Sequence, residues 1–273
     1  GLIVDQSKYC NRLLEVNPGE RWARVEPGIV LDELNALLQP HGLRFAPDIT
    51  GPDGDELTNG ASDIPHAIPN LSIEACPAVA HTRIGWYRSV NAVHHGYAIG
   101  SFVDELAAAA GKDPLEFLLA LIGPDRQVDL SQAGLVPPAS NYGASWTDHP
   151  MDSARAKGVL RLAAEKSGWG GALPKGRGRG IAMHRSFLSY VAMVVEVEVK
   201  PDGTVLVPRA TVAVDAGFIA NPDRVRAQME GALVMAMSNT LYSEITFAAG
   251  KVVQSNFRDY QVTRMPAAPH QVD

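Results

Sequence analysis

Residues 215–234 read DAGFIANPDRVRAQMEGALV. A strand is expected over Val205–Val214, and it stops at Asp215-Ala216-Gly217, where glycine frees the backbone to turn. Asn221-Pro222 then marks a bend, leading into a helix that presents Gln228, Glu230 and Gly231. Strand, glycine turn and helix meet at one point, a place where a bulky polar ligand could touch bare backbone and an amide side chain together. The same residues also suit an ordinary strand-to-helix connection, capped by Asn221 with Pro222 at the first helical position.

Working outward, the pattern predicts an α+β chain. Val191–Val199 alternates apolar residues with Glu196 and Glu198, and Pro201-Asp202-Gly203 turns it into the Val205 strand as a hairpin. A helix is expected over His94–Ala110, broken at Gly111-Lys112, with Asp113 capping the next one and Pro114 at its first position. The stretch from Gly123 to Pro150, rich in Pro, Gly, Ser and Asn, reads as a long surface loop. Met151–Ser167 reads as a helix with Ala154, Val159, Leu162 and Ala163 on its apolar face, ended by Gly168. Two further strands are expected over Glu244–Phe247 and Val252–Ser255.

The first fifty residues read differently. Trp22–Val25 is a strand, Pro27-Gly28 a turn, and Val30, Leu31, Leu34, Leu37 and Leu38 fall on one face of a helix that Pro40 to Gly42 terminates. The polar run GPDGDE at 51–56 supplies a break, and the expected division is residues 1–52 and 53–273.

Composition excludes several functions. A net charge of −6 and a pI near 5.8 speak against non-specific nucleic-acid binding, and no segment interleaves basic with aromatic residues. No apolar run approaches the ~20 residues of a membrane span. Two cysteines, Cys10 and Cys76, cannot build an iron–sulfur cluster and read as structural thiols. His94 and His95 are adjacent, so on a helix they point ~100° apart and do not share a metal. These two and His184 read as core or surface residues. GRGRG at 176–180 fits neither the P-loop nor the dinucleotide fingerprint, so Arg177 and Arg179 are expected to face solvent. Arg88 comes after Trp86 and Tyr87, and a guanidinium fixed by aromatic stacking is a directional donor. It reads equally as an arginine snorkelling from a strand end. Residue 1 is Gly and no signal peptide opens the chain, so a native N-terminus ahead of it is expected.

The run VDAGFIANPDRVRAQMEGAL resembles the late pterin-binding segment of the molybdenum hydroxylases, the xanthine dehydrogenase and aldehyde oxidase family. Within that family it is similar to the branch of the isoquinoline 1-oxidoreductase large (beta) chain. Gly60–Glu74, Gly85–Leu121, Gly176–Val199 and Gln254–Met265 resemble the same branch in order and spacing. The resemblance implies a molybdopterin-binding domain of mixed sheets with packed helices, over about residues 55–273. It implies that Gln228 hydrogen-bonds the pterin, with Gly217 and Gly231 beside it, and that Arg88 faces the substrate. The protein itself would supply no metal ligand. The cofactor implied is molybdopterin in its cytosine dinucleotide form. The partners implied are an iron–sulfur small subunit and a small-molecule substrate, with no nucleic acid and no membrane. The chemistry implied is oxidative hydroxylation of an N-heteroaromatic or aldehyde carbon, with the metal as Lewis acid, nucleophile source and electron sink.

Two parts of the family pattern are not found in the sequence: the glutamate base on a Gly-Glu-Pro-type loop and the glycine-rich segment with a molybdenum-flanking phenylalanine. Glu230 belongs to the helix motif and does not replace that base. No catalytic residue is therefore assigned, and a fragment inactive alone is expected. Arg185 stands where this branch more usually carries an acidic residue.

Residues 4–50 resemble instead the FAD-binding domain of the FAD-linked oxidases, which include glycolate oxidase subunits and D-lactate dehydrogenases. That piece is partial, without the glycine-rich stretches that hold the FAD pyrophosphate in its family. The alternative functions are accordingly an FAD-linked 2-hydroxy-acid oxidase fragment and a non-catalytic partner-binding scaffold.

Overall fold

A computed structural model describes residues 12–19, 22–25, 31–41, 58–74, 87–134 and 139–273. Cys10, Cys76, Trp86, the Pro27-Gly28 turn, Val30 and the polar run at 51–56 lie outside the described residues.

The chain divides into two compact units, Gly1–Asp53 and Gly54–Asp273. In the first, β1 (Leu13–Asn17) pairs antiparallel with β2 (Trp22–Val25), and α1 (Leu31–Leu38) comes next. Strand β1 was not foreseen. Leu34 and Leu38 are buried, one helical turn apart, whereas Leu37 is exposed and off the expected face.

The second unit is α+β, built on a four-stranded sheet. Strands β5 (Arg177–Ser186), β6 (Ser189–Val199) and β7 (Val205–Asp215) form an antiparallel meander, and β10 (Gln271–Val272) joins β7 in parallel. The β6–β7 turn is the expected one: Gly203 sits at φ 85° and the Asp202 carboxylate accepts the Thr204 N–H at 2.9 Å. Residues of β6 alternate between two cores. Tyr190, Ala192 and Val194 face helices α2 (Ala92–Ala109), α3 (Pro114–Ile122) and α4 (Ser153–Ser167), packing with Val103, Ile122, Leu160 and Ala163. Met193, Val195 and Val197 face the opposite core, where Leu233 and Met237 of α5 (Pro222–Leu241) close over Val207 and Ala210. A sheet covered on both faces needs apolar residues at successive positions, which β6 supplies.

The helix caps obey the local sequence. Asp113 accepts from the N–H groups of Leu115 and Glu116 with Pro114 behind it, and Asn221 accepts from Arg224 with Pro222 behind it. Gly168 ends α4 in the left-handed region at φ 68°.

Four expectations are corrected. The buried face of α4 is Ala156, Val159, Leu160, Ala163 and Ala164, with Lys157 also buried, while Ala154 and Leu162 are exposed. Lys157 fits there because its ammonium reaches the Gly123 carbonyl at 2.8 Å and the Asp125 carboxylate. Second, the 123–150 stretch is more than a surface loop. It contains β3 (Gln127–Val128), which pairs with β4 (Met151–Asp152), and a small core of Leu130, Ala139, Trp146 and Met151. Third, Arg177 and Arg179 do not simply face solvent: they bracket Glu196 across the sheet, and Arg177 also holds Glu198 at 2.7 Å. Fourth, the late strand pair shrinks to β8 (Phe247–Ala248) and β9 (Lys251–Val252).

Candidate functional site

Strand β7 ends at Asp215, and side chains hold the turn beyond it. The Arg155 guanidinium, from α4, grips Asp215 with two parallel bonds, Nε to Oδ2 at 2.8 Å and Nη2 to Oδ1 at 2.7 Å. The same guanidinium lies 4.6 Å over the Tyr190 ring. Asp215 Oδ1 also accepts the Gly217 N–H at 3.0 Å, which fixes the turn at Gly217, φ 71°. The Arg155 hydrogen bonds hold the Asp215 carboxyl below the usual carboxylate range. Asp215 is thus a brace for the turn and stays ionised, and Arg155 was not identified as its partner from sequence.

Arg88, Gln228 and Gly231 come together. Arg88 Nη2 donates to Gln228 Oε1 at 2.6 Å and to the Gln228 carbonyl at 3.0 Å. A Cβ built on Gly231 would stand 3.6 Å from Arg88 Nη1, an ordinary van der Waals contact, so the guanidinium lies against the helix at this position. Tyr87 does not carry Arg88, as stacking would require; its hydroxyl donates instead to Asn239 Oδ1 at 2.8 Å, tying the Arg88 turn to α5 at a second point. Gln228 and Arg88 are both exposed, and among the described residues nothing accepts from Gln228 Nε2. Gly217 is held by a different set of contacts, with open space where its Cβ would be.

The start of α5 is not an anion site. Pro222 has no N–H, Asn221 already accepts from Arg224, and Asp223 places a carboxylate in the first turn.

The same unit holds a buried polar assembly that sequence reasoning missed. Arg185 and Asp63 are 2% and 1% exposed and pair at 2.8 Å. Asn141 Oδ1 accepts from Arg185 at 2.7 Å, the Tyr142 hydroxyl donates to Asp63 Oδ2 at 3.1 Å, and the Gly60 N–H donates to Asp63 Oδ1 at 2.6 Å. The Trp146 ring lies 5.2 Å from the guanidinium. Burial, reinforced by Asp63, raises the Tyr142 phenol well above its ordinary value, so it remains a donor. The unusual arginine in β5 was the signal available: a buried charge requires a counter-charge, and the preceding Gly60–Glu74 block contains Asp63.

His184 is largely enclosed under Gly60 and Gly96, and burial lowers its pKa. His94 and His95 meet edge to face at 4.3 Å, and the Asn59 carbonyl lies 2.8 Å from His95 Nδ1. Among the described residues no three His, Cys, Asp or Glu side chains are placed to hold a metal ion.

Residues 123–269 match the model of the molybdopterin cofactor-binding domain. The chain belongs to that family. Residues 1–54 match the FAD binding domain. One subunit of the nicotinate dehydrogenase of Pseudomonas putida is 28% identical over 78% of this chain and 17% of its own length. The beta subunit of isoquinoline 1-oxidoreductase from Brevundimonas diminuta is 29% identical over 76% of this chain and 23% of its own length. The N-terminal segment is 54% identical, over 50 residues, to D-2-hydroxyglutarate dehydrogenase of Pseudomonas putida, which covers 18% of this chain and 5% of the relative. This chain therefore spans about a fifth of the first two relatives and a twentieth of the third. Among the described residues no helix is long and apolar enough to cross a membrane.

Proposed function

We propose that residues 53–273 form one wall of the molybdopterin site in the large subunit of a molybdenum hydroxylase acting on N-heteroaromatic or aldehyde carbons. The observation that carries this is the Arg88–Gln228 pair beside Gly231, a guanidinium and an amide locked together on the surface of a matched cofactor domain.

The donor set suits the group. Gln228 Oε1 is engaged by Arg88, which fixes the amide plane and leaves Nε2 directed outward as a donor for a ring carbonyl or nitrogen. Among the described residues nothing accepts from Arg88 Nε or Nη1, which leaves them available to a substrate oxygen or ring nitrogen. Gly217, whose Cβ position opens on free space, leaves the backbone of its own turn clear for close approach. When bound, the cofactor supplies the hydroxylating and redox chemistry. The chain's own part is to bind and orient.

Among the described residues no proton acceptor is placed at the pair. Asp215 is committed to Arg155, and Glu230 lies two residues beyond Gln228, ~200° around the helix. The cytosine dinucleotide form of the cofactor and an iron–sulfur small subunit complete the assembly, by likeness to the isoquinoline 1-oxidoreductase branch. Residues 1–52 correspond to a partial FAD-binding segment.

The test is metal content. Co-expressed with an iron–sulfur subunit, the chain is expected to retain molybdenum, and Gln228→Ala is expected to lower the molybdenum-to-protein ratio at least threefold while Gln254→Ala does not. Equal loading of the Gln228→Ala and unmodified proteins would remove the assignment. A yellow protein with flavin absorbance and no molybdenum would favour the flavin reading.

A further inference from the structure

Tyr87 and Arg88 are neighbours in the chain, yet their side chains end three helical turns apart. The Tyr87 hydroxyl donates to Asn239 Oδ1 at 2.8 Å, while Arg88 Nη2 donates to Gln228 Oε1 at 2.6 Å and to the Gln228 carbonyl at 3.0 Å. Gln228 and Asn239 are eleven residues apart in α5, which places them on one face of the helix and about 16 Å apart along its axis. Neighbouring Cα atoms are only ~3.8 Å apart, so the two side chains reach out in opposite directions along α5. The Arg88 guanidinium lies along this stretch, with Nη1 3.6 Å from the Cβ position of Gly231.

The backbone that follows is strained. Ser89 and Val90 both adopt left-handed conformations, at φ 70° and 49°, and for a β-branched residue that is an outlier. Two bonds close the bend into α2, from the Val90 N–H to the Tyr87 carbonyl at 2.9 Å and from the Ala92 N–H to the Ser89 carbonyl at 3.0 Å. Such a conformation persists only where its surroundings over-determine it. A single tie at Arg88 would leave the bend free to swivel about that point and relax. The second tie, at Tyr87, removes this freedom.

The consequence falls on Gln228. A guanidinium has donors and no acceptor, so Arg88 holds the amide by its oxygen and leaves Nε2 as the group on offer. Once Arg88 swings away, the amide turns freely and presents either end. We infer that Tyr87 and Asn239 are positioning residues for the Arg88–Gln228 pair: their hydrogen bond pins the strained Ser89–Val90 bend to α5 and so sets which end of the Gln228 amide meets the cofactor. Neither is itself a proposed cofactor contact, and the inference rests on the cofactor-wall reading.

Two measurements on Tyr87→Phe, Asn239→Leu and Asn239→Asp test it. The first uses the full chain without cofactor. The Gln228 side-chain amide protons, assigned by comparison with Gln228→Ala, should give one dispersed pair in NMR spectra of the unmodified protein. They should collapse toward the free-amide position in Tyr87→Phe and Asn239→Leu, while Asn239→Asp, which keeps an acceptor oxygen, should recover the dispersed pair. The second is the molybdenum-to-protein ratio after co-expression with an iron–sulfur subunit. It should fall at least twofold in Tyr87→Phe and in Asn239→Leu, no further in the double variant, and recover in Asn239→Asp. Tyr87 is 44% exposed, so loss of its hydroxyl should move the melting temperature by about 2 °C or less. Gln228 amide resonances identical in the unmodified protein and Tyr87→Phe would overturn the inference. So would a melting temperature that falls in Tyr87→Phe while the ratio holds, which is the mark of a merely structural bond. A ratio lowered by Gln228→Ala and unchanged by Tyr87→Phe would overturn the inference and leave the cofactor reading standing. A ratio unchanged by Gln228→Ala would overturn that reading and the inference with it.

Discussion

Breaking the Arg185–Asp63 pair should be the most damaging single change among the polar residues. Asp63→Asn keeps the shape and an oxygen for the Gly60 N–H, but it leaves a guanidinium 2% exposed with no counter-charge. Removing one partner of a buried pair costs about 3–5 kcal/mol, because the remaining charge stays desolvated. Arg185→Met strands the carboxylate instead, although Gly60 and Tyr142 still donate to it, so the expected loss is nearer the lower end of that range. The double variant replaces both charges by neutral groups of similar size. It should lose only about 1–2 kcal/mol, giving a coupling of several kcal/mol between the sites. For a unit of this size each kcal/mol moves the melting temperature by roughly 2–4 °C, so either single variant should melt roughly 10 °C early. Urea unfolding followed by far-ultraviolet circular dichroism gives the free energies. Trp146 fluorescence reports locally, because its ring lies 5.2 Å from the guanidinium. Additive losses, or single variants within about 1 kcal/mol of the unmodified protein, would refute the claim that the two charges depend on each other.

Two pH-dependent effects arise from other buried or paired groups. Burial, then His184 and Arg126, hold His66 down to about 4 in the folded protein, against ~6.5 when unfolded. The folded state therefore prefers the neutral ring. Its contribution is full above pH ~6.5 and is lost as pH falls toward 4, by about 3 kcal/mol at most. His66→Gln should flatten that part of the stability–pH curve measured by urea unfolding, and an unchanged slope would exclude it. Asp215 shifts the same way for a different reason: Arg155 depresses its pKa, so the pair stabilises above the ordinary carboxylate value and fails as pH drops through the folded one. Arg155→Gln should return the Asp215 carboxyl toward its ordinary titration, read by NMR. An Asp215 titration identical in the two proteins would show that the brace is not formed.

Local order was readable where a short rule governs it. The Asn221-Pro222 and Asp113-Pro114 caps, the Gly168 stop and the Asp202-Gly203 turn all depend on neighbours within four residues. Faces were read less well. On α4 Leu162 was assigned inward, yet it is Leu160, with Val159, Ala156, Ala163 and Ala164, that is buried, together with a lysine whose head escapes to Gly123 and Asp125. Hydropathy ranks residues singly and cannot anticipate that a neighbouring carbonyl will receive an ammonium.

The candidate site divides along the same line. The family and the strand–turn–helix motif were legible, since they lie in one continuous stretch, and Gln228 was marked within it. Arg88 was marked, but its tie to Gln228 spans 140 residues, as Arg185–Asp63 spans 122. Arg177 and Arg179 read as solvent-facing from sequence, whereas in the sheet Glu196 stands opposite them. By itself, the sequence determined the long helices and the β6–β7 hairpin, their caps and the cofactor family, because propensity, capping and motif spacing are local. Only the tertiary structure decided which charges are paired, which face of each helix is buried and how the strained Ser89–Val90 bend is tied down. Those depend on what a distant segment presents at contact distance, and on a desolvation penalty that exists only once water has been excluded.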